Sequence, residues 1–283
     1  MDHPKKLNHL STCTGYGGID LGFRRVGLPI HTVAYVEIEA FPIANLVKKM
    51  ENGWMDVAPI WSDLKTFPYS DFYGKVDLFS GGFPCQPFSQ AGHRRGSDDP
   101  RHLFPHLLKG IRELGRPSII FFENVEGIIS TEINGESVLK YVLSELEGLG
   151  YECESGIFSA EEEGGSHLRK RVFIIGTRLN QEGKDLIRSF LKGNKTRLKP
   201  PSRQGEEQHP IEPPRLITKG GCISKPKMGR DAHGNPYRLD FPKLYSDCTH
   251  REDEFKLLGN GVFPDTCARA FKVLWEKLVN SCN

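Results

Sequence analysis

The stretch "VDLFSGGFPCQPFSQ", residues 76–90, joins a short apolar run to a loop in which one cysteine stands between two prolines. The apolar run predicts a buried strand, and the glycines and prolines behind it predict a stiff turn. Most free cysteines fill small apolar gaps, whereas a few are nucleophiles in an activating environment. Cys85 therefore has two interpretations, and the residues that flank the other predicted strands distinguish them.

Further β-rich apolar runs lie at 31–37 ("HTVAYVE"), 118–124 ("SIIFFEN") and 171–177 ("RVFIIGT"). Between the last two, apolar residues at helical spacing predict a helix that Asn134 caps and Gly150 ends. Runs of this kind separated by helices imply right-handed crossovers. They predict an α/β fold with a parallel sheet that is covered on both faces.

The alternating pattern covers residues 1–178 of the 283, which predicts one large domain. Proline, glycine and charged residues dominate the stretch from 179 to 255, which predicts irregular structure. A last helix is predicted from Asp265 to Val279, within the C-terminal segment 256–283. The sequence thus divides into a regular part, an irregular part and a segment that ends in a helix.

The seven cysteines are scattered and form no C-x-x-C pair. That spacing argues against a disulfide scaffold and against a zinc site, and it indicates a reducing compartment. No apolar run approaches the length of a bilayer span, and the first residues, "MDHPKKLNHL", lack the apolar core of a secretory signal. We therefore expect a cytoplasmic protein that binds neither a metal nor a membrane.

Positive charge is concentrated in residues 164–203, which contain eleven Lys or Arg residues and two acids. The whole chain has a formal net charge of only +2, so the remainder is acidic. A basic segment on an otherwise acidic protein is typical of proteins with a polyanionic partner. The alternative interpretation is a solvated surface segment.

A glycine-rich stretch, "CTGYGGIDLG" (13–22), follows the first predicted strand, and ligands of parallel α/β sheets bind beyond such strand ends. Glu37 follows the second strand, 20 residues beyond Gly17, where an acid accepts hydrogen bonds from ribose hydroxyls. Asp63 follows the third strand. Together they predict an adenosine-type cofactor, although each acid could instead be a helix cap or a surface carboxylate. The glycines that let the backbone approach this ligand are Gly15, Gly17 and Gly18.

Three more chemically active side chains flank the later strands. Glu123 stands at the end of its strand, and Arg169 and Arg171 stand where the last strand begins. Alternation along a strand puts the two arginines on the same face. The thiol of Cys85, one carboxylic acid and two guanidiniums are therefore candidates for a single crevice beside the cofactor.

Four motifs occur in a fixed order: "GGFPCQPFS", "ENV", "RKRVFIIG" and "GNGV". The chain resembles the DNA (cytosine-5) methyltransferases of phage or restriction–modification type over Leu10–Arg178 and again over Leu257–Phe271. The resemblance implies a Rossmann-like S-adenosylmethionine-dependent methyltransferase sheet with a small irregular target-recognition region at 179–255. It further implies S-adenosyl-L-methionine as cofactor, double-stranded DNA as partner, and a monomer whose segment 256–283 returns to the catalytic domain.

The resemblance also assigns roles to single residues. Cys85 is similar to the nucleophile that adds to C6 of a flipped-out cytosine, which makes C5 reactive towards the methyl group. Glu123 is similar to the acid that holds a proton at N3, Arg171 to the donor to O2, and Arg169 to its supporting neighbour. The implied cofactor-binding residues are Cys13, Gly15, Gly17, Gly18, Glu37, Asp63, Pro84 and Asn260.

Nucleic-acid contacts are expected in two places. The loop after the cysteine resembles the closing loop of the family and offers Ser89, Arg94, Arg95 and Arg101. The basic segment offers Lys192, Lys195, Arg197 and Lys199 to phosphates.

Departures from the family pattern leave alternatives open. Cys13 stands where the family usually has a phenylalanine that packs near the adenine, so we expect either weaker cofactor affinity or compensation by another aromatic such as Phe83. His167 and Gly261 replace a glutamine and an alanine of the family pattern. Only 78 residues separate Arg178 from Leu257, so the target-recognition region is short.

The alternatives are a tRNA cytosine-5 methyltransferase and a catalytically silent nucleic-acid-binding relative. A dinucleotide dehydrogenase would leave Cys85, Glu123 and Arg171 unexplained.

Overall fold

A computed structural model of the chain describes residues 6–84, 103–133, 136–163, 168–191, 216–217, 223–224 and 260–280. The main sheet has seven strands in the order β3-β2-β1-β4-β5-β9-β8. The strands of the described residues, in chain order, are β1 (Leu7–Thr12), β2 (Ile30–Val36), β3 (Ile60–Trp61), β4 (Leu78–Gly82), β5 (Ile119–Val125), β6 (Glu132–Ile133), β7 (Glu136–Ser137), β8 (Glu152–Ser159), β9 (Lys170–Thr177), β10 (Leu216–Ile217) and β11 (Ile223–Ser224).

Strands β1 to β5 of the main sheet are parallel, as the sequence predicts. Six of the seven residues of β5 are buried. A strand in the middle of a parallel sheet is covered on both faces, so its sequence is a continuous apolar run rather than an alternating one. This requirement explains why the predicted strands at 31–37, 76–81 and 118–124 lie within two residues of the observed ones.

The prediction that the last strand of the sheet is parallel is wrong. Strand β9 pairs antiparallel with β5, and an additional strand, β8, pairs antiparallel with β9 at the edge of the sheet. Only ten residues connect Ser159 to Lys170, which is too few for a crossover between parallel strands. Because β9 runs backwards, its first residues lie at the edge where the parallel strands end.

The helices of the described residues, in chain order, are α1 (Gly18–Val26), α2 (Ala40–Glu51), α3 (Phe104–Glu113), α4 (Gly127–Ser130), α5 (Val138–Gly148), α6 (Gln181–Leu191) and α7 (Pro264–Asn280). The prediction that Asn134 caps α5 is wrong, because the hydroxyl of Ser137 accepts the N–H of Lys140 at 3.3 Å. Gly150 follows the end of α5 with a φ of 86°, as expected for a glycine that stops a helix. The predicted C-terminal helix is confirmed as α7.

Helix α6 lies in a stretch for which the sequence predicts irregular structure. Its residues Ile187 and Leu191 are buried, and the carbonyl of Lys184 accepts the indole N–H of Trp275 on α7 at 3.1 Å. The start of the segment 179–255 therefore packs on the sheet domain. Its other described residues form the antiparallel pair β10–β11, and the proposed division into a catalytic and a target-recognition part stays a prediction.

Aromatic side chains link the sheet to the helices on one of its faces. The rings of Phe23 on α1, Phe121 on β5 and Phe271 on α7 have centroids 5.3 to 5.4 Å apart. Such edge-on and tilted contacts add to the stabilisation from apolar burial. On the opposite face, α3 and α5 cover the sheet with buried residues such as Leu107 and Val142. The C-terminal helix is thus integral to the core of the sheet domain.

None of the helices in the described ranges is both long and apolar enough to cross a membrane.

Candidate active site

The strand order of the sheet reverses between β1 and β4, because the chain proceeds from β1 towards β2 on one side and returns to β4 on the other. Ligands of open α/β sheets bind in the crevice outside the carboxyl ends of the strands at this point. Strand β1 leads into the glycine-rich stretch, and β4 leads through Phe83 and Pro84 towards Cys85. The two stretches that the sequence singles out therefore leave the sheet side by side.

The glycine loop, residues 13–18, requires its glycines for two different reasons. Gly15 and Gly17 have φ angles of 55° and 83°, which residues other than glycine adopt only at a cost in free energy. Gly18 begins α1, and a Cβ atom there would lie 2.1 Å from the carbonyl oxygen of Val262. Apart from its two chain neighbours, no described residue has an atom within 4 Å of the Cβ position of Gly15, whereas a Cβ atom on Gly17 would lie 2.6 Å from the Met55 side chain. The loop is therefore open at Gly15 and closely packed at Gly17 and Gly18.

Glu37 anchors this loop. One carboxylate oxygen accepts the N–H of Gly15 at 2.6 Å, and the other accepts the N–H of Glu39 at 2.9 Å. The residue is buried, and burial raises the pKa of Glu37 even though both N–H groups favour its ionised form. A carboxylate has about four acceptor positions, so Glu37 can accept a hydroxyl group of a ligand in addition to these backbone N–H groups.

A buried polar network fixes the turn from β1 into α1. Asp20 accepts the hydroxyl of Ser11 at 2.8 Å and that of Thr32 at 3.2 Å, and its other neighbour is His9 at 3.3 Å. His9 also contacts the hydroxyl of Ser80 on β4 at 2.8 Å. Burial alone would raise the pKa of Asp20, but His9 and the hydroxyl donors together lower it below its usual range. These buried hydrogen bonds therefore hold the start of the glycine loop in place.

Glu123 and Arg171 meet at the end of β5. Nε of Arg171 lies 2.9 Å from one carboxylate oxygen of Glu123, and Glu123 is only 6% exposed. That oxygen is fully buried, and its nearest partner among the described residues is the Arg171 guanidinium. Burial raises the pKa of Glu123, and this effect outweighs the opposing charges of Arg171 and Arg169. The site thus holds a carboxyl group that keeps its proton more readily than an exposed glutamate.

Asn124 is a positioning residue that the sequence analysis missed. Its amide N–H₂ donates to the carbonyl of Phe83 at 3.0 Å, and its amide oxygen accepts the N–H of Val125 at 2.9 Å. It therefore joins β5 to the start of the cysteine loop. The motif "ENV" contains this residue, but the partner lies 41 positions away in the sequence.

Phe83 does not fulfil the expectation that it replaces the missing aromatic near the adenine. Its ring is buried, with centroids 5.5 Å from Phe104 and 5.7 Å from Phe122. It belongs to the core beneath α3, because packing against two other aromatic rings buries more apolar area than a position at the rim.

The remaining predicted cofactor residues lie at the same edge of the sheet. Cys13 is half-buried with a φ of 46°, while Pro84 and Asn260 are exposed. Asp63 follows β3 and accepts the N–H of Lys65 at 2.9 Å, so it also has the turn-forming role that was the alternative interpretation. In the described part of the chain, no three His, Cys, Asp or Glu side chains are placed to bind a metal ion.

The three described cysteines are poor nucleophiles. Burial raises the pKa of Cys13 and of Cys153 to about 12, with nearby glutamates adding to the effect, and it raises the pKa of Cys267 far above its usual value. A thiol with so high a pKa has almost no thiolate at neutral pH. None of these three can therefore take the role predicted for Cys85, which itself lies outside the described residues.

Part of the basic segment is paired within the protein. Lys184 is buried and contacts Glu152 at 2.5 Å, and Arg188 contacts Glu276 at 2.7 Å. These two charges belong to the packing of α6 and are not available to a polyanion. The predicted nucleic-acid contacts are outside the described residues; they are Ser89, Arg94, Arg95, Arg101, Lys192, Lys195, Arg197 and Lys199.

A family model described as C-5 cytosine-specific DNA methylase matches residues 7–222. The chain belongs to this family. The match includes the glycine loop, Glu37, the cysteine loop, Glu123 and both arginines of the site. Membership confirms the family that the four motifs indicate.

Two curated relatives are Type II methyltransferases of bacteria. The Type II methyltransferase M.NgoMIV of Neisseria gonorrhoeae is 34% identical over 170 residues, which are 60% of this chain and 51% of the relative. The Type II methyltransferase M.BsuRI of Bacillus subtilis is 28% identical over 215 residues, which are 69% of this chain and 49% of the relative. The chain thus spans about half the length of these family members.

The solved structure of the Dnmt2 methyltransferase of S. pombe has a TM-score of 0.62 at 16% identity, and the match covers 96% of this chain and 99% of that one. At this level of identity the likeness concerns the fold alone. It confirms the predicted Rossmann-like methyltransferase sheet.

Proposed function

We propose that the chain is a DNA cytosine-5 methyltransferase that transfers a methyl group from S-adenosyl-L-methionine to C5 of a flipped-out cytosine. The observation that supports this function best is the pair formed by Glu123 and Arg171. A buried carboxyl group with a raised pKa lies 2.9 Å from a guanidinium, at the sheet edge from which the Cys85 loop leaves. Glu123 can hold a proton at N3 of cytosine while Arg171 donates a hydrogen bond to O2, so the pair matches the two polar ring positions of this base.

In the proposed reaction, the thiolate of Cys85 adds to C6 of the base, and electron density moves through the ring towards N3 and O2. Glu123 holds a proton at N3, and Arg171 donates to O2, so that the ring carries no uncompensated charge. The methyl donor supplies an electrophilic carbon on a sulfonium. Once C5 carries the methyl group, the proton at N3 returns to Glu123, the C5 proton passes to a base from the solvent, and the Cys85 thiolate departs, which restores the aromatic ring.

The cofactor would lie beside this pocket, above the glycine loop. Gly15 leaves the backbone open to a ligand, and the Glu37 carboxylate, which holds Gly15, is placed to accept from ribose hydroxyls. The same carboxylate holds Gly15 in place, so loop geometry and ribose binding depend on one side chain.

Replacing Glu37 by alanine is expected to weaken S-adenosylmethionine binding by about 1–3 kcal/mol, because buried polar groups of the ligand and of Gly15 lose a charged partner. Calorimetric titration measures the effect. Glu51→Ala, which removes the same charge from the exposed end of α2, is the matched control and should retain wild-type affinity. An unchanged affinity in the Glu37 variant would remove this residue from the cofactor site.

The proposed substrate is double-stranded DNA, and the proposed location is the cytoplasm, in agreement with the cysteine pattern. The test is bisulfite sequencing of plasmid DNA from cells that express the chain, compared with cells that express Cys85→Ala. Protected cytosines at one recurrent sequence, present only with the wild-type chain, would support DNA as substrate. Unprotected plasmid together with methyl transfer to tRNA in vitro would instead support the RNA alternative.

The basic segment is expected to contact phosphates without sequence preference. Replacing Lys192, Lys195, Arg197 and Lys199 by alanine should flatten the dependence of DNA affinity on salt by up to about 4 units, since each contact contributes a slope of about −0.9. A control variant removes four exposed lysines from other surfaces, namely Lys48, Lys75, Lys109 and Lys140. Equal slopes in the two variants would show that only net charge matters and that the segment is a solvated surface.

A further inference from the structure

The C-terminal segment touches both halves of the candidate site through two consecutive peptide carbonyls. The hydroxyl of Tyr16, in the glycine loop, donates to the carbonyl of Val262 at 2.5 Å. The guanidinium of Arg169, at the start of β9, donates to the carbonyl of Gly261 at 2.5 Å. The two donors are 153 residues apart in the sequence and approach one short piece of backbone from the two sides of the site.

Contacts around Val262 leave this backbone little freedom. Gly18 packs so closely that a Cβ atom there would lie 2.1 Å from the Val262 carbonyl oxygen. A Cβ atom on Gly82 would lie 3.9 Å from the Val262 side chain and 3.2 Å from a carboxylate oxygen of Glu123. The segment therefore fills the space between the glycine loop and Glu123.

Tyr16 is itself held rigidly. Its side chain is buried, and Lys49 of α2 donates to its carbonyl at 2.5 Å while the ammonium lies 4.6 Å from the centre of its ring. Removing only the hydroxyl would leave both contacts with Lys49 in place. The bond from its hydroxyl is thus the contact by which Tyr16 reaches the C-terminal segment.

We propose that Tyr16 is a positioning residue: by holding Val262, it sets the place of the Gly261 carbonyl and hence of Arg169 beside Glu123 and Arg171. This inference rests on the proposed function, in which the glycine loop binds the cofactor and Glu123 faces the base. The Gly261–Val262 backbone then acts as a bridge that keeps the two binding regions in register, although neither region is contiguous with it in the sequence.

Tyr16→Phe removes the hydroxyl alone, and Tyr151→Phe is a matched control. The hydroxyl of Tyr151 is also buried and donates to a backbone carbonyl, that of Pro117, at 2.7 Å, next to the start of β5 and β8 rather than the active edge. Two measurements are made on the full chain: the steady-state constants for methyl transfer, and amide hydrogen exchange without any ligand.

The expected result is that Tyr16→Phe lowers kcat by about tenfold or more, with KM for S-adenosylmethionine changed by less than about threefold, because misplacement of a catalytic group affects turnover more than cofactor affinity. Amide exchange should accelerate in residues 260–266 and also in 168–173. Tyr151→Phe should change neither kcat nor exchange in these ranges. Equal losses of activity in both variants, or unchanged exchange in 168–173, would overturn the proposal.

The role proposed for Tyr16 can still be tested if the chain does not methylate DNA or if Tyr16→Phe does not fold. If the wild-type chain methylates no DNA, the proposed function fails, and the exchange measurement by itself decides whether Tyr16 positions the Arg169 strand. If Tyr16→Phe does not fold, Arg169→Lys tests the bridge from its other end. Faster exchange in residues 14–20 of that variant would support the bridge, and unchanged exchange there would overturn it.

Discussion

Replacing Cys85 by serine is expected to lower methyl transfer by at least about 10⁴-fold, while S-adenosylmethionine binding stays within about twofold of the wild type. The proposed reaction needs a thiolate to add to C6 of the base, and a serine hydroxyl is too weak an acid to form the corresponding anion at neutral pH. Transfer of label from the methyl group of the cofactor measures turnover, and calorimetry measures binding. A serine variant with near wild-type turnover would remove the covalent step.

Cys153→Ser provides the matched control, because this thiol is half-buried and burial raises its pKa to about 12. It should retain wild-type activity. DNA with 5-fluorocytosine at the target gives a second test, since the fluorine cannot leave as the C5 proton does. A stable mass-shifted adduct on Cys85 is expected under turnover conditions, and its absence would count against the mechanism.

Replacing Glu123 by glutamine is expected to lower kcat by about 10²–10⁴-fold. Glutamine fills nearly the same volume and can still donate a hydrogen bond to N3, but it cannot hold or release a proton there. The neighbouring Arg171 guanidinium, 2.9 Å from Glu123 in the wild type, remains in place, so the loss of turnover reports the missing proton rather than altered packing. Glu126→Gln, on the exposed residue three positions further on, is the control and should keep wild-type turnover.

The pH dependence distinguishes this role from a structural one. Burial raises the pKa of Glu123, so its acid form persists to higher pH than that of an exposed glutamate. If the acid form is required, wild-type turnover falls as the pH rises through that pKa, and the glutamine variant lacks this falling limb. A glutamine variant that retains the falling limb would show that another group titrates.

Much of the fold was predictable because burial imposes local patterns on the sequence. Strand β5 is covered on both faces and therefore had to be a continuous apolar run, while α7 had to show apolar residues at helical spacing. Helix α6 was missed because four of its eleven residues are charged and it leads into a stretch rich in proline, glycine and charge. One of them, Lys184, is buried because its ammonium pairs with Glu152 and its carbonyl accepts the indole of Trp275. Both partners are remote in the sequence.

The chemical groups of the site were also predictable, whereas their arrangement was not. The motifs named Glu37, Glu123, Arg169 and Arg171, and the structure places them at one edge of the sheet. The prediction for the two arginines assumed that the last strand is parallel to its neighbours, whereas β9 is antiparallel to β5. If β9 were parallel, Arg169 and Arg171 at its beginning would lie at the opposite edge of the sheet, away from Glu37 and Glu123.

The sequence by itself determined which residues form the strands, which loops follow them and which reactive side chains those loops carry, because these properties depend on neighbours along the chain. Only the tertiary structure decided the direction of β9 and the seating of Val262 against Tyr16, a pair 246 residues apart. The free energy of such contacts comes from packing and hydrogen bonds between remote segments, and a contact of this kind leaves no periodic pattern in the sequence. The local sequence therefore predicts which residues form the site, and packing between remote segments decides where these residues lie.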